Sequence, residues 1–277
     1  MISTRVHPEV MPNDIAAHNR RAWDLMVERG NQWTVPVTSA EIAAARRGNW
    51  QILVTLRRAV PLEWFPAIHG TRTLCLAGSG GQQAPILAAA GARVTVFDNS
   101  PRQLAQDRLV ADRDHLDIQT TLGDMRDLHV FDDGSFELVV HPCSNCFVPD
   151  VRVVWKEIAR VLAPGGILIA GFINPMAFVF DETAAADGDL RVRHRLPYSD
   201  ATHLDDDELR AIEERGEPFV FGHSLEAQIG GQLEAGLVVT HLFEDDWPGR
   251  TLSMYAPSLI ATRAVKSSGP ALPADRG

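Results

Sequence analysis

Residues 71–101 read TRTLCLAGSGGQQAPILAAAGARVTVFDNSP, and the fold turns on them. Residues 71–77 are a short apolar run that stops at a glycine cluster, the pattern of a buried strand. Residues 85–90 supply one helical face, and residues 93–97 (RVTVF) are β-branched and strand-like again. A strand, a glycine turn, a helix and a second strand in so short a span make a βαβ unit, whose two strands run parallel.

The alternation continues downstream. Residues 101–114 read as a helix with Pro101 in its first turn and Ser100 as N-cap. Residues 118–122 and 136–140 read as strands. Residues 150–162 read as an amphipathic helix closed by Pro164-Gly165-Gly166, and 167–172 (ILIAGF) as a fifth strand. Together these predict an α/β fold, a doubly wound and mostly parallel sheet with helices on both faces. Residues 1–70 hold helical pieces and four of the six tryptophans, 176–265 return to mixed structure, and 266–277 read as a frayed tail.

Bulk properties narrow the function. The chain has 277 residues and a formal net charge of −10, and its basic clusters, Arg46-Arg47 and Arg57-Arg58, are short. Nucleic-acid binding draws most of its affinity from phosphate neutralisation, so a nucleic-acid substrate is set aside. No apolar run approaches the ~18 residues of a membrane span, and the first residues have no secretory h-region. Cys75, Cys143 and Cys146 are too few for a disulfide framework and read as reduced thiols of a cytoplasmic protein.

Leu76-Ala77-Gly78-Ser79-Gly80-Gly81-Gln82-Gln83 joins the first strand to its helix, where small residues let the backbone approach a ligand and a helix N-terminus offers free N–H groups. The dinucleotide fingerprint G-x-G-x-x-G fails, because its third glycine would fall at Gln83. Asp98 closes the second strand, 20 residues after Gly78, where a carboxylate accepts from ribose hydroxyls. Gly123-Asp124-Met125 follows the third strand, so its acid stands at the next carboxyl end of the same sheet. The glycine loop and strand-end acid point to a nucleoside ligand.

The succession TLCLAGSGGQQAPILAAAGARVTVFDNSPRQL, GDMRDL, FELVVHPCSNCF and WKEIARVLAPGGILIAGF resembles the class I S-adenosylmethionine-dependent methyltransferases over about residues 70–175. The resemblance implies a Rossmann-like core at 71–175 with S-adenosylmethionine as cofactor. It implies a seven-stranded sheet closed by an antiparallel hairpin of residues 237–243 and 258–265. An N-terminal helical lid (1–70) and a C-terminal substrate-binding insertion (176–265) flank that core. It places Gly78, Ser79, Gly80 and Gly81 along the methionine moiety, Asp98 on the ribose and Asp124 with Met125 at the adenine. Ala77, Gln82, Asn99 and His141 complete the expected cofactor set. Cys75 and Ala77 depart from the acidic residue and first glycine common in that family.

Methyl transfer is an in-line displacement, and a hydroxyl acceptor benefits from a general base. His141, just past the fourth strand, is the candidate base. Ser144, Asn145 and Asn174 are polar positioning candidates. Trp33, Trp50 and Trp64 are candidates for a lid over the acceptor, and Tyr198 with the strand-like residues 191–197 for the opposite wall. The expected reaction is O-methylation of a small molecule, a saccharide or other metabolite hydroxyl, with N-methylation as the alternative. The partner is therefore a small-molecule substrate, and a homo-oligomer stays open. A non-catalytic cofactor-binding regulator, a nicotinamide oxidoreductase and a zinc deaminase reading of Pro142-Cys143-Ser144-Asn145-Cys146 are weaker competitors, and no metal is expected. The acidic run 205–208 reads as the start of a helix, where carboxylates complement the dipole.

Overall fold

A computed structural model of the chain describes residues 12–78 and 80–268. Two helices lead in. In α1 (Pro12–Glu28), Ile15, Asn19 and Ala22 recur at helical spacing and are buried. At the start of α2 (Ser39–Arg46), the side chains of Thr38 and Glu41 each accept from the other's backbone N–H.

The core then runs β1 (Arg72–Leu76), α3 (Gln83–Ala89), β2 (Arg93–Asp98), α4 (Pro101–Asp114), β3 (Ile118–Leu122), β4 (Phe136–His141), α5 (Val151–Val161) and β5 (Leu162–Ile173). Helix α4 and strand β3 keep the limits predicted for them, and the Ser100 hydroxyl caps α4 by accepting from the Gln103 N–H. Strand β5 starts five residues before the predicted 167, because Leu162 already pairs with Phe136. The Pro-Gly-Gly segment is taken up as an irregularity before Leu138 pairs with Ile167.

Beyond the core come α6 (Glu182–Ala186), β6 (Tyr198–Ser199), α7 (Asp200–His203), α8 (Asp206–Arg215), β7 (Phe221–Gly222), α9 (Gly231–Glu234), β8 (Leu237–Asp245) and β9 (Leu259–Lys266). The sheet order is β3-β2-β1-β4-β5-β9-β8, parallel through the first five strands and antiparallel where β9 enters between β5 and β8. Strands β6 and β7 form a separate antiparallel pair. Asp205 caps α8 and shares a capping box with Glu208, so the acidic run does open a helix.

Two local expectations are corrected. Residues 191–197 are not a strand: Val192 makes one isolated bridge to Phe180, and most of the segment is exposed. Lys266, expected in the frayed tail, ends β9 and donates from Nζ to the Leu162 carbonyl at 2.6 Å. Residues 269–277 lie outside the described residues.

Side-chain alternation splits the core across the sheet. Cys75, Val94, Val96, Leu138, Val140 and Ile169 face one cluster with α2, α3 and α4. Leu74, Leu76, Val139, Leu168 and Ala170 face the other, built around α5. There Val151, Val154, Trp155 and Ile158 make a helical stripe with no exposed surface. The strand order runs outward in opposite senses from β1 and β4, which are parallel, so their carboxyl ends open a crevice where α/β sheets bind ligands.

Candidate active site

The carboxyl ends of β1 to β5 open onto a cavity of about 210 Å³. Ala77 and Gly78 line it after β1, Asp98 and Asn99 at the end of β2, and Asp124, Met125 and Arg126 after β3. The glycine turn, the strand-end acid and the Gly-Asp-Met element therefore meet around one space. Ala77 takes a left-handed conformation, φ +47°, which costs a non-glycine residue roughly 1–2 kcal/mol. The loop thus keeps a glycine-like path with a methyl group on it.

Electrostatics on this side are concentrated. Burial pushes the Asp98 carboxyl up to about 7, against the N–H groups of Ser100 and Asn99, while the nearby Asp24 carboxylate raises it further. The Ser100 N–H donates to Asp98 at 2.7 Å. Arg126 forks onto Asp124, with N–O distances of 3.0, 3.0 and 2.6 Å. Gln82 donates to the carbonyls of Gln32 and Val35, and Asn99 to that of Ala16, so loop and strand end are tied to the N-terminal segment.

On the other side the lining turns apolar. Pro142, Cys143, Cys146, Phe147, Val148 and Pro149 come from the loop after β4, Ile173 from β5, Leu259 from β9 and Trp247 from the turn after β8. Trp33 meets Trp247 edge to face, with centroids 6.5 Å apart. Ser144 lines the same wall. Burial, with Cys146 and Asp245 nearby, holds the Cys143 thiol well above its ordinary range, so it is neutral.

A strap of residues 53–56 crosses this wall, and two features seat it. Asp245 Oδ2 accepts from the Thr55 hydroxyl at 2.7 Å and from the N–H groups of Leu56, Arg57 and Arg58 at 3.1, 2.8 and 3.0 Å. The Val54 carbonyl lies so close to Gly171 that a Cβ there would collide with it, and the Cys143 N–H donates to that carbonyl.

Several expected site residues stand elsewhere. His141 is fully buried and outside the lining. Its Nδ1 lies 2.9 Å from the Leu76 carbonyl, an acceptor, so Nδ1 carries the proton, while Nε2 meets the Asn145 carboxamide. Burial lowers its pKa against those two hydrogen bonds. The ring is thus engaged on both sides and turned away from the cavity lining, where the base role expected from sequence would need it. Asn145, also buried, donates onward to Gln228 at 2.9 Å.

Trp64 packs in the core 5.2 Å from Phe243, and Trp50 meets Phe65, so neither covers the cavity. Asn174 caps a helical turn and donates to the Pro257 carbonyl, and the Tyr198 hydroxyl donates to Asp200; neither lines the cavity. Gly80 and Gly81 turn their N–H groups to Gln103 Oε1 and Asp107 Oδ1, at 3.0 and 2.9 Å, rather than into the space. Ser79 lies outside the described residues. Cys143 and Cys146 belong to no group of three or more metal-ligating side chains among the described residues.

Trp23, Gln83, Gln103, Arg126 and Trp247 line the cavity and Asp107 lies beneath the glycine loop, though none stood among the site residues expected from sequence. For Gln83 a signal existed: it stands where the dinucleotide fingerprint asks for glycine.

Known proteins match this arrangement. A family model described as a methyltransferase domain matches residues 74–170. An uncharacterized methyltransferase of Bacillus subtilis, YbaJ, is 51% identical over 254 residues, which are 92% of this chain and 99% of that protein. A ubiquinone biosynthesis O-methyltransferase of Xanthomonas campestris is 30% identical over 114 residues, 40% of this chain and 48% of its own. An S-adenosylmethionine-dependent methyltransferase structure from Mesorhizobium loti has a TM-score of 0.55 at 17% identity, covering 73% of this chain and 94% of that one. The 1,6-didemethyltoxoflavin-N1-methyltransferase of Burkholderia thailandensis, with its substrate and S-adenosylhomocysteine bound, has a TM-score of 0.56 at 13% identity and covers 94% of this chain and 92% of its own. At such identities the two structures speak for the fold alone. Kinship along nearly the whole of both sequences, as with the Bacillus protein, says more: the chain belongs to the class I S-adenosylmethionine-dependent methyltransferases, enzymes that take S-adenosylmethionine as their methyl donor.

Proposed function

We propose that this enzyme methylates a small, uncharged molecule that presents an acidic hydroxyl, phenolic or enolic, on a flat apolar scaffold. One observation carries the proposal. Among the described lining residues, every charged side chain (Asp98, Asp124, Arg126) lies on the β3-β2-β1 side, and the β4-β5-β9-β8 side is apolar apart from neutral thiols, Ser144 and Thr55, whose hydroxyl is taken up by Asp245.

Bound S-adenosylmethionine supplies an electrophilic methyl group on a sulfonium, together with its thioether leaving group. The residues present fit it. Asp98 would accept from the ribose hydroxyls, Asp124 and Met125 would flank the adenine, and Ala77 with Gly78 would line the methionine end. Asp124 holds the Arg126 backbone N–H and guanidinium, which fixes its carboxylate at the β3 end of the cavity. The chain's own work is to align acceptor and donor and to keep the site dry. Trp23, Trp33, Trp247 and Phe147 give flat apolar surface for the acceptor.

With His141 sealed, no imidazole among the described lining residues takes the acceptor proton. An acidic hydroxyl loses it to water beforehand, which favours a phenol or enol over the saccharide expected from sequence. The same wall, with few hydrogen-bonding groups, suits an aromatic ring better than a sugar. The sealed His141 also supports a second reading, a neutral ring nitrogen, whose lone pair needs no base. Three free thiols support a cytoplasmic setting for the enzyme.

Turnover of labelled S-adenosylmethionine with panels of phenols, enols, heteroaromatic amines and sugars tests the proposal. Label on a phenolic or enolic oxygen is the expected result. Label on a sugar or on a charged acceptor would overturn it.

A further inference from the structure

Gln83 opens α3 directly behind the glycine loop, is 7% exposed and lines the cavity. Its Nε2 donates to the Leu53 carbonyl at 3.1 Å. That contact fixes the carboxamide, since the flipped amide would set oxygen against oxygen. Oε1 therefore points away from the strap, and among the described residues it is the buried side-chain polar atom with no hydrogen-bond partner. It lies 3.4 Å from where a Cβ of Gly78 would stand, and Gly78, which has none, lines the cavity beside it. A buried acceptor without a donor costs roughly as much as a lost hydrogen bond, so it calls for a donor from a ligand.

The sheet order says which donor. Asp124 with Met125, Asp98 and Gly78 with Gln83 stand at the ends of β3, β2 and β1, three neighbours in that order. A cofactor whose base lies at β3 and whose ribose lies on Asp98 extends its amino-acid end toward β1. That end carries one donor, the α-ammonium, and one acceptor, the carboxylate. A carbonyl oxygen selects the ammonium.

We propose that Gln83 Oε1 accepts a hydrogen bond from the α-ammonium of the cofactor's methionine moiety. Gln83 thereby joins the cofactor to Leu53 in the strap that walls the acceptor side, an assignment that rests on placing the ribose at Asp98.

Calorimetry on the full chain with S-adenosylhomocysteine, and with its analogue bearing hydrogen in place of the ammonium, tests the role without turnover. The wild type should prefer S-adenosylhomocysteine by at least about ten-fold, the scale of one hydrogen bond to a charged group. Gln83→Met should lose about ten-fold for S-adenosylhomocysteine while its affinity for the analogue stays within about two-fold, and Gln83→Glu should keep the preference. Effects through Leu53 act on both ligands alike and cancel in the ratio. Equal weakening of both ligands in Gln83→Met, loss of preference in Gln83→Glu, or a wild type that does not discriminate would each overturn the role of Gln83 alone. If Gln83→Met does not fold, the wild-type ratio and Gln83→Glu decide. A wild type that binds neither ligand would overturn the ribose placement as well.

Discussion

One sheet edge carries two kinds of recognition. On the β3-β2-β1 side, Asp98, Asp124, Arg126, Asn99 and Gln103 crowd the lining, and Asp107 lies under the glycine loop. On the β4-β5-β9-β8 side, the wall is mostly proline, cysteine, phenylalanine, aliphatic side chains and tryptophan with the hydroxyls of Ser144 and Thr55, and His141, Asn145 and Gln228 are buried behind it. The first side suits a ligand with fixed hydroxyls and charges, the second a ligand recognised by shape and dryness. On the proposed function, the polar side binds the donor and the apolar side aligns the acceptor.

The sharpest way to break this contrast is to exchange its extremes. Asp98→Ala should weaken S-adenosylhomocysteine by about 10²-fold, the loss of two hydrogen bonds to a carboxylate. Trp247→Ala should leave that affinity within about two-fold, because Trp247 stands across the cavity, and should lower kcat/KM for the true acceptor by about ten-fold. Comparable losses of S-adenosylhomocysteine affinity in both variants would mean that the cavity is not divided as described.

The strap offers a second, smaller test. Burial pushes the Asp245 carboxyl up, but the N–H groups of Arg58 and Arg57, the Thr55 hydroxyl and the Asp246 N–H outweigh it and hold the group below the ordinary carboxylate range. A depressed carboxylate contributes its stability above the unfolded pKa of about 4 and loses it as pH falls through the folded value. Asp245→Ala should cost about 2 kcal/mol at pH 7, read from urea unfolding, and the gap to wild type should narrow as the solution is acidified below about pH 4. Cofactor affinity should change less than acceptor KM, since the strap walls the acceptor side.

The two sides also differ in how far the sequence discloses them. Strand period, glycine punctuation and strand-end acids are local, so Gly78, Asp98, Asp124 and Met125 are readable from residues 71–128 alone. The acceptor wall is assembled over long separations: Asp245 holds residues 55–58 from about 190 positions away, and Trp33 meets Trp247. Nothing local in residues 53–56 marks them as a wall. Trp64 misleads because a tryptophan beside a core looks the same in sequence whether it faces a ligand or Phe243. His141 misleads for a related reason, since its place at a strand end is right and only the Leu76 and Asn145 partners show that the ring turns inward.

The smallest effect probes the polar side through pH. Asp98 stands at about 7 and Asp107 at about 8, both raised chiefly by burial, and Asp98 also raises Asp107. A carboxyl raised above its unfolded value of about 4 contributes stability in full below that value and loses it as pH rises through the folded pKa. The ligand-free fold should therefore lose some stability between pH 4 and 8. Ligand binding runs the other way, because ribose hydroxyls donate to the ionised Asp98. Affinity for S-adenosylhomocysteine should climb from pH 6 to 8, by less than about ten-fold per unit, with proton release detectable as a buffer-dependent heat. Asp98→Asn should flatten the part of the slope centred near 7 and leave that of Asp107, which holds the Gly81 N–H outside the lining. An affinity that does not vary with pH in the wild type would mean that Asp98 is not the group that receives the ribose.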